Sequence, residues 1–310
     1  MIKRYFINIV ALIFCVTTSY GQSVSFLNYF SDARTAAMGN TGYALSSPFA
    51  VQRNVTTIMG EYLPATAIGA SYLLWQPQAT NSNLINVAGY TKLGKVGLAA
   101  GIRYHTLDIV EQTDDYGNMI RPFTPSEYTL EVGLGYKINA NIATGVALRY
   151  VSSDMNGEKK GSAVAADISM LYERENLSIG LGCSNLGSKM NYGYSDYALP
   201  MRIQAGISYR FLDKDKHRVT GVADAAYQSV FSYNGTAASI GAEYTYNDLI
   251  SLRAGYRFEN ESIGASYATV GCGLYLSGIS VDFAYALSSN NNPMRQTMLV
   301  SLSWGISNKR

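Results

Sequence analysis

The chain has two histidines, three cysteines, seven prolines and only 15% charged residues. Catalysis by a nucleophile and its base usually draws on histidine. His217 falls in a charged turn, and His105 follows Arg103 on a polar face, where a hydrogen bond is the expected role. Glu127 and Glu131 share a face, but four strand residues set their backbones roughly 13 Å apart, wider than the usual glycosidase acid and nucleophile. No His, Cys and carboxylate cluster has metal-ligand spacing. An enzyme is therefore not expected, and neither is a cofactor. With 24 basic and 22 acidic residues the net charge is +2, and no basic cluster forms that would neutralise phosphates, which argues against nucleic acid as a partner. Cys183 and Cys272 are too few for a disulfide framework, and both fall on the apolar face of predicted strands as structural residues. The charged fraction lies well below the roughly 25% of soluble domains, so something other than water is expected to solvate part of the surface. Past Gly21 no apolar run reaches the ~20 residues of a spanning helix. A membrane role must come from strands.

Tyrosine and glycine are abundant instead, with 25 and 29 residues. Residues 1–21 read as a secretory signal: Lys3 and Arg4, an apolar run from Ile7 to Val16, then Ser19 and Gly21 ahead of a cut before Gln22. The run is half the length of a membrane anchor, and bulky Phe14 before Cys15 argues against lipid attachment.

From Thr66 to Trp304 apolar residues alternate with polar or small ones in stretches of membrane-strand length. In the clearest, Tyr128, Leu130, Val132, Leu134, Tyr136 and Ile138 share one face, while Glu127, Thr129, Glu131, Gly133, Gly135 and Lys137 share the other. Strands are expected near 66–75, 83–92, 96–109, 126–138, 142–153, 162–173, 177–186, 201–211, 218–228, 235–246, 249–258, 265–276, 279–287 and 295–305. The second is the weakest, its alternation breaking around Ile85 and Val87, and Leu299 is a misfit on the polar face of the last. Short turns, the longest at Leu212 to His217, alternate with longer polar connections at Ile109 to Pro125, Ser153 to Gly161 and Leu186 to Pro200. That is the asymmetry of periplasmic turns and external loops. The expected fold is all-β: a transmembrane antiparallel barrel of about fourteen strands over residues 63–310, in a bacterial outer membrane, with lipid around it. A soluble β-sandwich, or a closed barrel with an apolar interior, is the alternative. Against it stand the polar-face charges Arg103, Glu131, Arg149, Asp167, Arg202, Asp224, Glu243, Arg253, Arg257 and Asp282, which a dry core would not hold unpaired. Tyr104, Tyr150, Tyr209, Tyr227 and Tyr256 near strand ends fit interfacial girdles. The inward charges either pair across strands and stiffen the lumen or line a conduction path. Residues 22–62 carry no membrane-strand pattern, which leaves an interfacial or periplasmic cover as one expectation for them.

The segment Ala33-Arg34-Thr35-Ala36-Ala37-Met38-Gly39-Asn40-Thr41-Gly42-Tyr43-Ala44, the Asn185-Leu186-Gly187 and Leu199-Pro200 elements, Asp224 and the hairpin Gly241 to Phe258 resemble the PorV/PorQ outer-membrane proteins of type IX secretion, which are themselves similar to FadL barrels. Arg34, Met38 and Gly39 stand at the matching opening positions. Where the family usually has Asn-Pro-Ala, this chain has Asn54-Val55-Thr56. The likeness covers nearly the whole mature chain, and its modest loops look more like the PorQ branch. It implies a FadL-like barrel, with residues 22–62 as an N-terminal plug folded into the lumen, that docks or shuttles secretion-machine subunits or exported cargo proteins. The competing expectation is a FadL-like carrier of a hydrophobic small molecule, with an apolar pocket beneath the loops and a strand kink at Gly180 and Gly182 or at Gly271 and Gly273. A purely structural barrel is the third.

Overall fold

The computed structural model describes residues 24–306 apart from 61–62, 114–115, 117, 156, 158–159, 194 and 231–232. The proposed leader, 1–21, lies outside the described residues. Fourteen strands close into one antiparallel barrel. In chain order they are β1 (Thr66–Trp75), β2 (Ser82–Leu93), β3 (Val96–Thr106), β4 (Ser126–Lys137), β5 (Ile142–Asp154), β6 (Lys160–Arg174), β7 (Leu177–Gly187), β8 (Arg202–Lys214), β9 (His217–Val230), β10 (Tyr233–Tyr246), β11 (Ile250–Glu259), β12 (Tyr267–Leu276), β13 (Ile279–Leu287) and β14 (Met298–Ile306). Each strand pairs with the next, and β1 closes on β14 from Thr66 opposite Ile306 to Leu74 opposite Met298. No backbone edge is left for lipid, the condition for spanning a membrane with strands. No helix among the described residues is long and apolar enough to cross one.

The period-2 pattern sets the two faces of the wall. On β4, Tyr128, Leu130, Val132, Leu134 and Tyr136 are exposed on the outside, while Glu127, Thr129 and Glu131 are buried inside. The tyrosines assigned to girdles all lie on the outer surface. Cys272 is exposed and Cys183 half-buried, both as free thiols.

Several sequence expectations shift. The alternation of β2 does not break at Ile85 and Val87, which both point outward; the irregular positions are Leu84 and Tyr90, apolar residues buried inside. The turn expected at Leu212 to His217 shrinks to residues 215–216, because the ladder continues through Asp213 opposite Arg218, where the two side chains also pair at 3.3 Å. His217 therefore belongs to β9, with its Nδ1 2.7 Å from the Tyr244 hydroxyl. β3 ends at Thr106, and the connection after it folds into its own ribbon, Val110–Thr113 against Met119–Phe123. That connection is not simply polar: Ile109, Val110, Met119 and Ile120 are exposed on it. The wall is not kinked at Gly180 and Gly182 or at Gly271 and Gly273, which keep regular register. It is irregular elsewhere. Between Ala166 and Ile168 of β6 the partner advances from Leu186 to Cys183, so β7 carries one extra residue. Asn185 sits there at φ 60°, a left-handed conformation that asparagine tolerates better than most side chains.

Candidate functional site

The buried interior is built from the inner wall and residues 24–60, which hydrogen-bond to inward-facing side chains around the barrel. The segment has little regular structure: a short 3-10 turn at Ser25–Asn28, one helical turn α1 (Ala33–Ala36), and 3-10 turns at Ala50–Gln52 and Val55–Met59. Asp32 caps α1 by accepting from the Thr35 backbone N–H at 2.9 Å. Asn54 caps the last turn, accepting from the Thr56 N–H at 3.1 Å, and its amide donates to the Tyr43 carbonyl at 2.8 Å. The departure from Asn-Pro-Ala falls on the first two residues of that turn: at Val55 a proline would cost no helical hydrogen bond, and Thr56 adds a hydroxyl that donates to Asn54 Oδ1. Val55 packs there against Gly133 and Gly145.

The two separated stretches that resemble the secretion family meet in space. Arg34 donates from Nε and Nη2 to the two oxygens of Glu243, at 2.8 and 2.7 Å. The Glu243 carboxylate raises the Arg34 pKa above its ordinary value. Met38 and Gly39 lie against Gly241 and Gly255 of the β10–β11 hairpin, where any Cβ would run into Met38. Gly39 has φ +77°, and a Cβ on it would stand 2.7 Å from the Tyr256 carbonyl oxygen. Only glycine meets both conditions. Its N–H donates to Thr269 Oγ1 at 2.8 Å, and that hydroxyl donates to the Ala37 carbonyl at 2.9 Å. Farther round, Tyr43 occupies the space left by Gly180, Gly182 and Gly206, and its N–H donates to Asp224 at 3.0 Å. The inward glycines thus accommodate this segment rather than kink a strand.

Of the ten inward charges singled out from the sequence, all but Arg202 fall into paired groups. Arg103, Glu131, Arg149 and Asp167 form one ladder across β3 to β6: Arg103 Nη2 to Glu131 at 2.6 Å, Arg149 Nε to the same oxygen at 2.6 Å, and Arg149 Nη2 to Asp167 at 3.0 Å. Arg149 also donates to Asn185 Oδ1 at the bulge, and the Asn185 N–H donates to Asp167 at 2.7 Å. Glu243, Arg253 and Asp282 form a second ladder, with Arg253 donating to Glu243 at 2.7 Å and to Asp282 at 2.6 Å. Asp224 stands apart, bound by Tyr43, by Gln204 at 3.0 Å and by Arg53 at 3.7 Å. Arg257 pairs with Glu259 at 2.5 Å. Arg53 escaped notice in the sequence because it lies in the segment without periodicity; it also donates to Asn40 and Thr35.

Two apolar clusters complete the interior. Phe26, Leu27 and Phe30 gather the inward-facing Leu73, Leu84, Val151 and Leu299 with Met190 and Met294 from the loop end. Leu299 is thus a misfit only against a polar lumen; its true neighbours are apolar. Phe49, Val51, Val55, Ile58 and Met59 form the other cluster against Ala67, Ala88, Tyr90, Ala143 and Leu171. Tyr29 stacks on Trp75 with centroids 4.0 Å apart, and burial pushes its phenol up to about 12. At the short-turn end a vestibule of about 510 Å³ opens, lined by Arg34, Glu243, Arg253 and Asp282 among others.

His105 lies beside Glu127, Nδ1 to Oε2 at 2.9 Å, and Ser153 donates to the other Glu127 oxygen at 3.0 Å. The hydroxyl bonds the carboxylate and not the imidazole, while Phe26 stacks on the ring 5.3 Å away. This arrangement anchors Phe26 and is not a nucleophile with its base. Among the described residues no group of three His, Cys, Asp or Glu side chains is placed to hold a metal.

Comparison with known proteins gives the same architecture. The Ralstonia pickettii toluene transporter TbuX is similar with a TM-score of 0.61 and 14% identity, covering 91% of this chain and 100% of that one. The Pseudomonas putida toluene transporter TodX has a TM-score of 0.61 and 13% identity, covering 93% and 98%. A Pseudomonas aeruginosa FadL homologue has a TM-score of 0.54 and 10% identity, covering 93% and 100%. At these identities the likeness shows a shared FadL-like barrel fold. No curated protein matches in sequence. The family described as type IX secretion system protein PorV matches residues 16–226. With more than half its length matched, and with a closed outer-membrane barrel behind the match, this chain belongs to the PorV family of the bacterial outer membrane.

Proposed function

We propose that the protein is a non-enzymatic component of type IX secretion that docks or shuttles exported cargo proteins at the outer membrane, with residues 24–60 acting as a plug. The observation that carries this reading is the occupied interior. Phe26, Leu27 and Phe30 fill the loop end, Val51, Val55 and Ile58 the other half, and Arg34 ties the segment to Glu243. A lumen so filled favours a role at the surfaces over conduction through the middle. The ribbon after β3 offers such a surface, exposing Ile109, Val110, Met119 and Ile120 beyond the wall at the loop end. Exposed apolar clusters of this kind mark protein contacts. Crosslinking and pull-down from intact outer membranes, with tagged full-length protein and a variant lacking 110–123, tests the reading. Recovery of secretion subunits or cargo with the full chain, and their loss with the variant, is the expected result. Capture of neither overturns it.

A carrier of hydrophobic small molecules is the second reading, favoured by the FadL-like fold of the toluene transporters and by the extra residue in β7 at Asn185. It requires the segment to move, since the apolar space beneath the loops holds Phe26, Tyr29 and Phe30. Uptake of a hydrophobic compound by vesicles containing the wild-type barrel would favour it over docking.

A further inference from the structure

Arg202 of β8 is buried, yet its guanidinium makes no hydrogen bond or ion pair with any described residue, and Nε and Nη2 are fully enclosed. A guanidinium does not shed its proton in a protein, so burial leaves an uncompensated cation, among the most unfavourable arrangements a fold can contain. The nearby acids are already committed. Asp224 is bound by Arg53, Gln204 and the Tyr43 N–H, Asp167 by Arg149 and the Asn185 N–H, and Glu131 is shared by Arg103 and Arg149. Glu259, which also acts on Arg202, is taken by Arg257. The set holds five cations, Arg53, Arg103, Arg149, Arg202 and Arg257, against four anions, Glu131, Asp167, Asp224 and Glu259. One negative charge is missing.

Arg202 lines a mainly polar cavity of about 20 Å³ together with Gln52, Arg53, Arg149, Asn185 and Gln204. Gln52, on the N-terminal segment, is also buried, and neither end of its amide has a partner. About 10–15 Å³ of such space holds one water, so the cavity suits a single small ion and is too small for a phosphate or sulfate. A water there would satisfy hydrogen bonds without supplying charge. We propose that this cavity binds one halide-sized monovalent anion, chloride under ordinary conditions, held by the Arg202 guanidinium on the wall and the Gln52 amide N–H on the segment. The ion then serves as an internal counter-charge that fastens residues 24–60 to β8.

The test is a crystal of the full-length protein grown in bromide, read for anomalous scattering, together with protease release of the N-terminal segment in chloride and in gluconate at equal ionic strength. The expected result is a bromide peak within hydrogen-bonding distance of Arg202 and Gln52, and release at least tenfold faster in gluconate, which is too large to enter. Gln52→Glu supplies a tethered carboxylate in place of the ion. It is expected to keep the segment in place equally well in both salts and to lose the bromide peak. Arg202→Gln is expected to lose the peak as well. Density without anomalous signal, meaning water, or release that differs equally between salts in wild type and Gln52→Glu, overturns the proposal.

Discussion

The wall of β3 to β6 and the wall of β10 to β13 both carry a buried charge ladder, but only the first is complete in itself. Arg103 and Arg149 balance Glu131 and Asp167, all four from barrel strands. On the second, Arg253 alone faces Glu243 and Asp282. The missing cation arrives as Arg34, from the segment outside the wall. The first ladder meets the segment through an Arg103 Nη1 donation to the Leu27 carbonyl at 3.0 Å but takes no charge from it, whereas the second is a charge receptor for the segment, and the glycines Gly241 and Gly255 beside it shape the seat for Met38. Charge sets which part of the segment docks there, and small side chains set how closely it approaches.

The contrast can be broken most strongly at Arg149. Arg149→Met leaves Glu131 and Asp167 buried and short of donors and is expected to destabilise the barrel by about 3–5 kcal/mol, read as a lower urea midpoint in detergent, with the segment protected from protease until the barrel itself opens. Gly255→Val should act on the other wall. The clash is with the Met38 backbone, which cannot swing aside, so a loss near about 3 kcal/mol, the upper end for overpacking, is expected in segment docking. Limited proteolysis should then cut within residues 24–60 while the folded barrel persists on unheated gels. Arg34→Ala removes a two-point ion pair from a side chain that is one-third exposed and should weaken docking by about 2 kcal/mol. Combined with Glu243→Gln, the losses should be less than additive, and strict additivity would show that the pair is not what holds the segment. The smallest effect is expected from Val55→Pro, under about 1 kcal/mol, because position 55 opens the 3-10 turn behind its Asn54 cap. A large loss there would mean that the Val55 contacts with Gly133 and Gly145 outweigh the backbone fit.

The barrel was legible because its signal is local. Lipid outside and a buried polar face inside impose alternation at every residue, so β1 and β13 are read to their exact ends and most other strands to within three residues. The ten inward charges were identified from the same pattern, and all lie inside. Their partners were not legible. Leu299 looked like an error of pattern, and Leu84 went unremarked, until Phe26, Leu27 and Phe30 were placed against them, and Gly180 and Gly182 suggested a kink where Tyr43 in fact sits. The bulge at Asn185 left no periodic trace, since one extra residue changes the pairing and not the composition.

The amino-acid sequence by itself determined the strand count, the face that meets lipid and the end that carries short turns, because the solvent contrast across a barrel wall acts on each residue and its immediate neighbours. Tertiary structure alone decided what fills the interior. Arg34 and Glu243 lie 209 positions apart, and nothing along the chain between them records that a guanidinium from an aperiodic segment completes the charge of a distant strand. Such a pairing depends on closure of the wall, which brings those strands around the segment and removes the water that would otherwise satisfy both charges.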